Sequence, residues 1–190
     1  MPEAYLLTSE EKRFLLTLAR NTIKSSLVNK KIDDPAFFSD TLSNKHGVFV
    51  TLNLGNRLRG CIGYIEGVVA LQQAVKEMAL SAAFNDPRFP ALTIEELPDV
   101  EIEISVLSPL HKISTISEIM VGEHGIVIEH GINKGLLLPQ VAVEYGWDRE
   151  SFLAHTCQKA GLTPDAWRDS AATIHIFSAE IFSESELIVS

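Results

Sequence analysis

Between residues 100 and 106 apolar and polar side chains alternate strictly: Val100, Ile102, Ile104 and Val106 against Glu101, Glu103 and Ser105. A period of two belongs to a strand with one face buried. Antiparallel sheets are the ones that commonly leave their second face polar. Upstream, residues 48–54 and 57–65 flank Gly55-Asn56, a pair that accepts the positive φ of tight hairpin turns. Residues 125–129 and 135–138 form a second predicted hairpin, joined across residues 131–134. Strands and helices do not alternate regularly along the chain. The expected class is therefore α+β, with mainly antiparallel sheets and packed helices.

The helical segments read from apolar spacing. Residues 8–31 predict a long amphipathic helix, opened by Thr8 and Glu11 at capping-box spacing and stopped by Asp33-Asp34-Pro35. Residues 36–46 read as loop, and residues 68–84 as a second helix whose small residues suit close packing. Asn85-Asp86-Pro87-Arg88-Phe89-Pro90 then breaks the chain sharply. A helical turn is expected over 93–97, with Thr93 and Glu96 at capping-box spacing, and a short helix around 115–120. Pro139 opens a helix ending near Gly146, residues 151–160 form another with Cys157 in the core, and residues 172–182 read as one final strand. No linker-like stretch marks a domain boundary.

A formal charge of −9 argues against a general nucleic-acid binder, which needs a basic field. Neither a signal peptide nor an apolar run long enough to span a bilayer is read, so a cytoplasmic protein without membrane association is expected. The two cysteines, Cys61 and Cys157, make neither a disulfide framework nor a zinc spacing, which suits a reducing compartment. His111, His124 and His130 predict no metal site.

Chemistry concentrates in Arg57-Leu58-Arg59-Gly60-Cys61-Ile62-Gly63-Tyr64. Strand alternation puts Arg57, Arg59, Cys61 and Gly63 on one face. A cation beside a thiol favours thiolate, and glycine leaves room for a ligand or another backbone. An edge strand with an inert cysteine is the plain alternative. Arg88, fixed between two prolines, is a candidate anion clamp, or simply a solvated side chain. Asp86 could orient an arginine or tie up loop amides. His124 is a candidate acid or base. Glu101 and Glu103 read as solvated charges or partners for nearby arginines.

Taken together, Leu58-Arg59-Gly60-Cys61-Ile62-Gly63, Asp86-Pro87-Arg88-Phe89, Ile104-Ser105-Val106-Leu107, His124-Gly125, Gly135-Leu136-Leu137-Leu138-Pro139-Gln140-Val141, Gly146-Trp147-Asp148 and Lys159-Ala160-Gly161-Leu162 resemble, in order, the AMMECR family, also called AmmeMemoRadiSam system protein A. Tyr64 departs from the Thr often found there. The resemblance implies one domain over residues 8–184, between tails 1–7 and 185–190, made of two closely packed lobes with the cysteine motif near a cleft. It also implies an intracellular protein accompanied by a Memo-like protein and a radical S-adenosylmethionine enzyme, but no settled reaction. The expected function is binding of a small anionic substrate, with Cys61 and His124 catalytic and Arg59, Asp86, Arg88, Phe89 and Gln140 as substrate contacts. No cofactor or metal is expected. The alternatives are an interaction module for those two partners and an RNA-base modification role.

Overall fold

The computed structural model describes residues 7–33 and 37–188. Asp34 and Pro35, expected to stop the first helix, and residues 1–6, read for a leader, lie outside the described residues. The chain divides into two compact units, one from residues 7–107 with 180–188, the other from residues 108–179. The second is thus inserted in the sequence of the first.

In the first unit, helix α1 (Ser9–Val28) opens as expected. Thr8 Oγ1 accepts from the Glu11 amide at 3.2 Å, and Glu11 Oε2 accepts from the Thr8 amide at 2.8 Å. The helix stops earlier than Asp33, because Asn29 turns left-handed (φ 48°) and donates back to the last carbonyls. Residues 36–46 are not all loop: Asp40–Ser43 forms a one-turn helix, α2, which buries Leu42. Strands β1 (Gly47–Leu54) and β2 (Arg57–Tyr64) form the expected hairpin, with φ 58° at Gly55. Helix α3 (Leu71–Phe84) follows, then β3 (Val100–Leu107), both close to their predicted limits. The strand order is β2-β1-β3-β8, β8 being Ala179–Ser183, and β1 pairs antiparallel with both neighbours.

One face of this sheet carries Val48, Val50 and Leu52 beside Ile102, Ile104 and Val106, all buried. These pack with Leu15, Ala19 and Ile23 of α1 and with Val75, Ala79 and Ala82 of α3 in one apolar cluster. Burying such side chains contributes about 1.5–3 kcal/mol each, so the sheet is held from this face. Gly60 permits the close seating of α3: a Cβ there would lie 2.2 Å from the Ala82 carbonyl oxygen. The end of the unit is tied by Arg20, which forms a two-pronged ion pair with Glu184 at the start of α6 (Glu184–Ile188).

The second unit contains β4 (His111–Lys112), β5 (Gly125–His130), β6 (Asn133–Leu137) and β7 (Thr173–Phe177) in the order β4-β7-β5-β6. The β5–β6 turn is tighter than expected, two residues with Gly131 at φ 61°. Helices α4 (Pro139–Glu144) and α5 (Arg149–Lys159) complete the unit, and Ile126, Ile128, Phe152, Leu153 and Cys157 share its core. The short helix expected around 115–120 is a 3-10 turn, Ile116–Glu118. The single strand expected over 172–182 is two strands in two different sheets. Ser178 interrupts it: its carbonyl accepts from the Ser108 amide at 2.9 Å, and its amide donates to Ser108 Oγ at 3.0 Å. No helix among the described residues is long and apolar enough to cross a membrane.

Candidate functional site

A bulge decides which residues meet Cys61. From the Gly55-Asn56 turn, Leu54 pairs with Arg57 and Asn53 with Leu58; then Leu52 pairs with Gly60, leaving Arg59 as the extra residue. Without that extra residue Cys61 would face Val50 and the core. With it, Cys61 faces Thr51, on the side of the sheet away from the helices, while Gly60 and Ile62 face α3. The expected shared face of Arg57, Arg59 and Cys61 is therefore broken. Arg57 pairs with Leu54, in the register of the other face.

Arg59 turns to the segment after α3. Its Nε and Nη2 donate to the Glu96 carboxylate at 2.8 and 3.1 Å, Nη1 to the Pro90 carbonyl at 2.9 Å, and Nη2 to the Ala91 carbonyl at 3.4 Å. Buried and with four hydrogen bonds made, Arg59 fastens residues 90–96 to the strand. Its guanidinium in turn holds the Glu96 carboxyl below the usual range, helped by the Thr93 amide. The spacing of Glu96 to Thr93 predicts a capping role; its second role follows only from the bulge.

Asp86 and Arg88 sit on the outer edge of β2. Asp86 Oδ2 accepts from the Cys61 amide at 2.9 Å, and Arg88 Nη2 donates to the Cys61 carbonyl at 3.2 Å. The two side chains hold each other in a two-pronged pair, Nε to Oδ1 at 3.0 Å and Nη2 to Oδ2 at 2.7 Å, and the Arg88 amide also reaches Oδ1 at 3.1 Å. Arg88 holds the Asp86 carboxyl well below the usual carboxylate range, and the two backbone amides add to this. Side-chain exposure separates the partners, 1% for Asp86 against 48% for Arg88, so the cation is the group that the pair shows outward. Nε and Nη2 are committed, while Nη1 carries no hydrogen bond among the described residues. The Phe89 ring lies 5.5 Å from the Arg88 guanidinium carbon and 6.0 Å from that of Arg59, bridging the two cations.

Cys61 is partly buried. Its Sγ accepts from Thr51 Oγ1 at 3.3 Å. Burial pushes the thiol pKa up; the Thr51 hydroxyl and Arg88 oppose that rise without reversing it, and Asp86 and Glu103 add to it. The resting sulfur is a neutral thiol rather than the thiolate that an adjacent cation suggests. Glu103 pairs with Thr51 across β1, so Glu103, Thr51 and Cys61 form one cross-strand row. Thr51 was missed in the sequence; only the shifted register brings it to the thiol. Two residues along, Ser105 Oγ is buried on the same face without a hydrogen-bond partner among the described residues. The space beside Gly63 is filled from within, since a Cβ there would meet the Phe49 ring at 2.3 Å. Tyr64 faces the α3 side and donates to Glu77 at 2.8 Å, so its departure from Thr alters the helix contact.

Cys61, Asp86, Arg88, Phe89 and Arg59 are thus gathered in the first unit. His124 and Gln140 belong to the second. His124 is buried, and its Nδ1 accepts from the Met120 amide at 3.2 Å, which puts the proton of a neutral ring on Nε2. Gln140, in the first turn of α4, has a buried Oε1 without a partner among the described residues. Cys157 is fully buried, and burial raises its pKa.

The antiparallel α+β fold has a counterpart of known structure. The chain belongs to the AMMECR1 family, whose model matches residues 16–182. It is 44% identical over 189 residues to protein MJ0810 of Methanocaldococcus jannaschii, covering 95% of this chain and 94% of that protein. It is 45% identical over 191 residues to protein PF1979 of Pyrococcus furiosus, covering 95% and 91%. The fold matches the crystal structure of uncharacterized protein PH0010 from Pyrococcus horikoshii with a TM-score of 0.85, at 45% identity and 90% coverage of both chains.

Proposed function

We propose that the chain binds a small anionic ligand beside Cys61, with Arg88 rather than Arg59 as the contacting cation. The observation that carries this reading is the state of the Arg88 guanidinium. Three of its five N–H groups are spent on Asp86 and the Cys61 carbonyl, which fixes the plane, and the Nη1 pair is left without a partner among the described residues, on a half-exposed side chain. A preorganised guanidinium loses little entropy on binding a carboxylate or phosphate. Arg59, with its charge met by Glu96, positions the loop that carries Arg88 and Phe89.

Thiol catalysis at this site requires a proton acceptor, because the resting thiol is neutral. Glu103, in the same row but separated from Cys61 by Thr51, could take the thiol proton only through the Thr51 hydroxyl that bonds the sulfur. Alkylation of Cys61 by iodoacetamide, followed by mass spectrometry, tests the binding site, with buried Cys157 as internal reference. Phosphate, acetate and succinate should slow modification of Cys61 in the parent protein and not in Arg88→Met. A Cys61 rate indifferent to all three anions would remove the ligand site.

A further inference from the structure

Strand β2 is an edge of its sheet. At Cys61 the outward N–H and C=O are both taken, by Asp86 and Arg88. In an antiparallel ladder outward-pointing residues recur every second position, so Gly63 also points its N–H and C=O away from β1. Those two groups have no partner among the described residues, and Gly63 is partly exposed. An open hydrogen-bonding edge of this kind pairs with an extended main chain.

The Asp86–Arg88 pair limits what can add there. A strand laid against Gly63 cannot run on past Cys61, because the positions a neighbouring strand would use are filled. What binds must end at that point. Two orientations are open to it. A parallel segment would bring its α-amino group to Arg88, cation against cation. An antiparallel segment would bring its carboxylate to the same place, where Nη1 has two free donors. Charge therefore selects the antiparallel segment and a C-terminal end.

We infer that the ligand of this site is the C-terminal end of an extended peptide, added to β2 as an antiparallel strand. Its penultimate residue exchanges two main-chain hydrogen bonds with Gly63. Its last residue lies opposite Ile62, and its carboxylate is held by Arg88 Nη1 beside Cys61. The Phe49 ring, lying over Gly63, offers an apolar surface to the penultimate side chain. This rests on the anion-binding reading of Arg88 and adds to it the main-chain edge.

The test uses the full chain and a pool of N-terminally fluorescein-labelled hexapeptides of mixed sequence, read by fluorescence anisotropy. Three versions are compared: free acid, C-terminal amide, and free acid N-methylated at the penultimate residue. The free acid should bind about tenfold or more tightly than either, each change removing a charge-assisted or main-chain hydrogen bond. Arg88→Met should bind acid and amide alike. Equal binding of the acid and its N-methylated form would overturn the strand addition while leaving Arg88 as an anion site. Absence of peptide binding, with phosphate or succinate still protecting Cys61, would overturn it in the same way. Loss of both peptide binding and anion protection would remove the two readings together.

Discussion

Replacing Asp86 with alanine should destabilise the first unit by about 3–6 kcal/mol. The carboxylate accepts from two backbone amides, those of Cys61 and Arg88, and its side chain is 1% exposed. Each hydrogen bond to a charged acceptor contributes about 1.5–3 kcal/mol, and a buried donor left without one pays its desolvation in full. Arg88 adds little to the sum, because its exposed guanidinium returns to water. At about 2–4 °C per kcal/mol, the melting temperature should fall by about 6–24 °C. Both tryptophans, Trp147 and Trp167, lie in the second unit, so their fluorescence follows that unit, while far-ultraviolet circular dichroism also follows α1 and α3. The dichroism transition is therefore the one to watch in a urea titration. Asp86→Asn keeps an acceptor but loses the charge, and should fall between parent and alanine variant. The folded-state pKa of Asp86 is depressed, so its contribution is complete above the unfolded value of about 3.9 and is lost as pH falls through the folded one. The gap between parent and Asp86→Asn should therefore narrow below about pH 4. An alanine variant within about 0.5 kcal/mol of the parent, or a gap that persists in acid, would refute the role given to this carboxylate.

Other outcomes follow from single contacts. Gly60→Ala drives a methyl into the α3 backbone and should cost about 1–3 kcal/mol by urea unfolding, since neither strand nor helix can yield cheaply. Thr8→Ala opens the α1 capping box and should cost about 1 kcal/mol in the same assay. The Cys61 thiol has a raised pKa, so its iodoacetamide rate should go on rising with pH beyond about 8.5, where the rate of a free thiol begins to level off. Its neutral form also favours the folded state, so stability should decline as pH rises beyond that value, and Cys61→Ala should decline less. Arg59→Met should release residues 90–96, seen as faster amide hydrogen exchange there, with that of the second unit unchanged.

Much of this architecture is legible from residue patterns, because the patterns are local. The alternation at 100–106, the Gly55-Asn56 turn and the Thr8–Glu11 cap each act within a few residues, and each is found where the pattern puts it. The AMMECR resemblance and the α+β class rest on such short signals. What escaped is set by register and by distant segments. A one-residue bulge at Arg59 leaves no mark in hydrophobic alternation, yet it decides that Cys61 meets Thr51 and that Arg59 meets Glu96. The division of residues 172–182 at Ser178 depends on Ser108, seventy positions earlier, which a local pattern cannot see. The passage into the second unit at Ser108 has no linker composition, so it reads as an ordinary strand end.

That insertion has a consequence for synthesis. The sheet of the first unit takes its fourth strand from Ala179–Ser183, and Arg20 of the first helix waits for Glu184. On a ribosome adding about 5–20 residues per second, the whole of residues 108–179 emerges before those groups do. The nascent chain therefore holds a three-stranded sheet with its β3 edge uncovered through that interval, and the inserted unit is the first that can be completed.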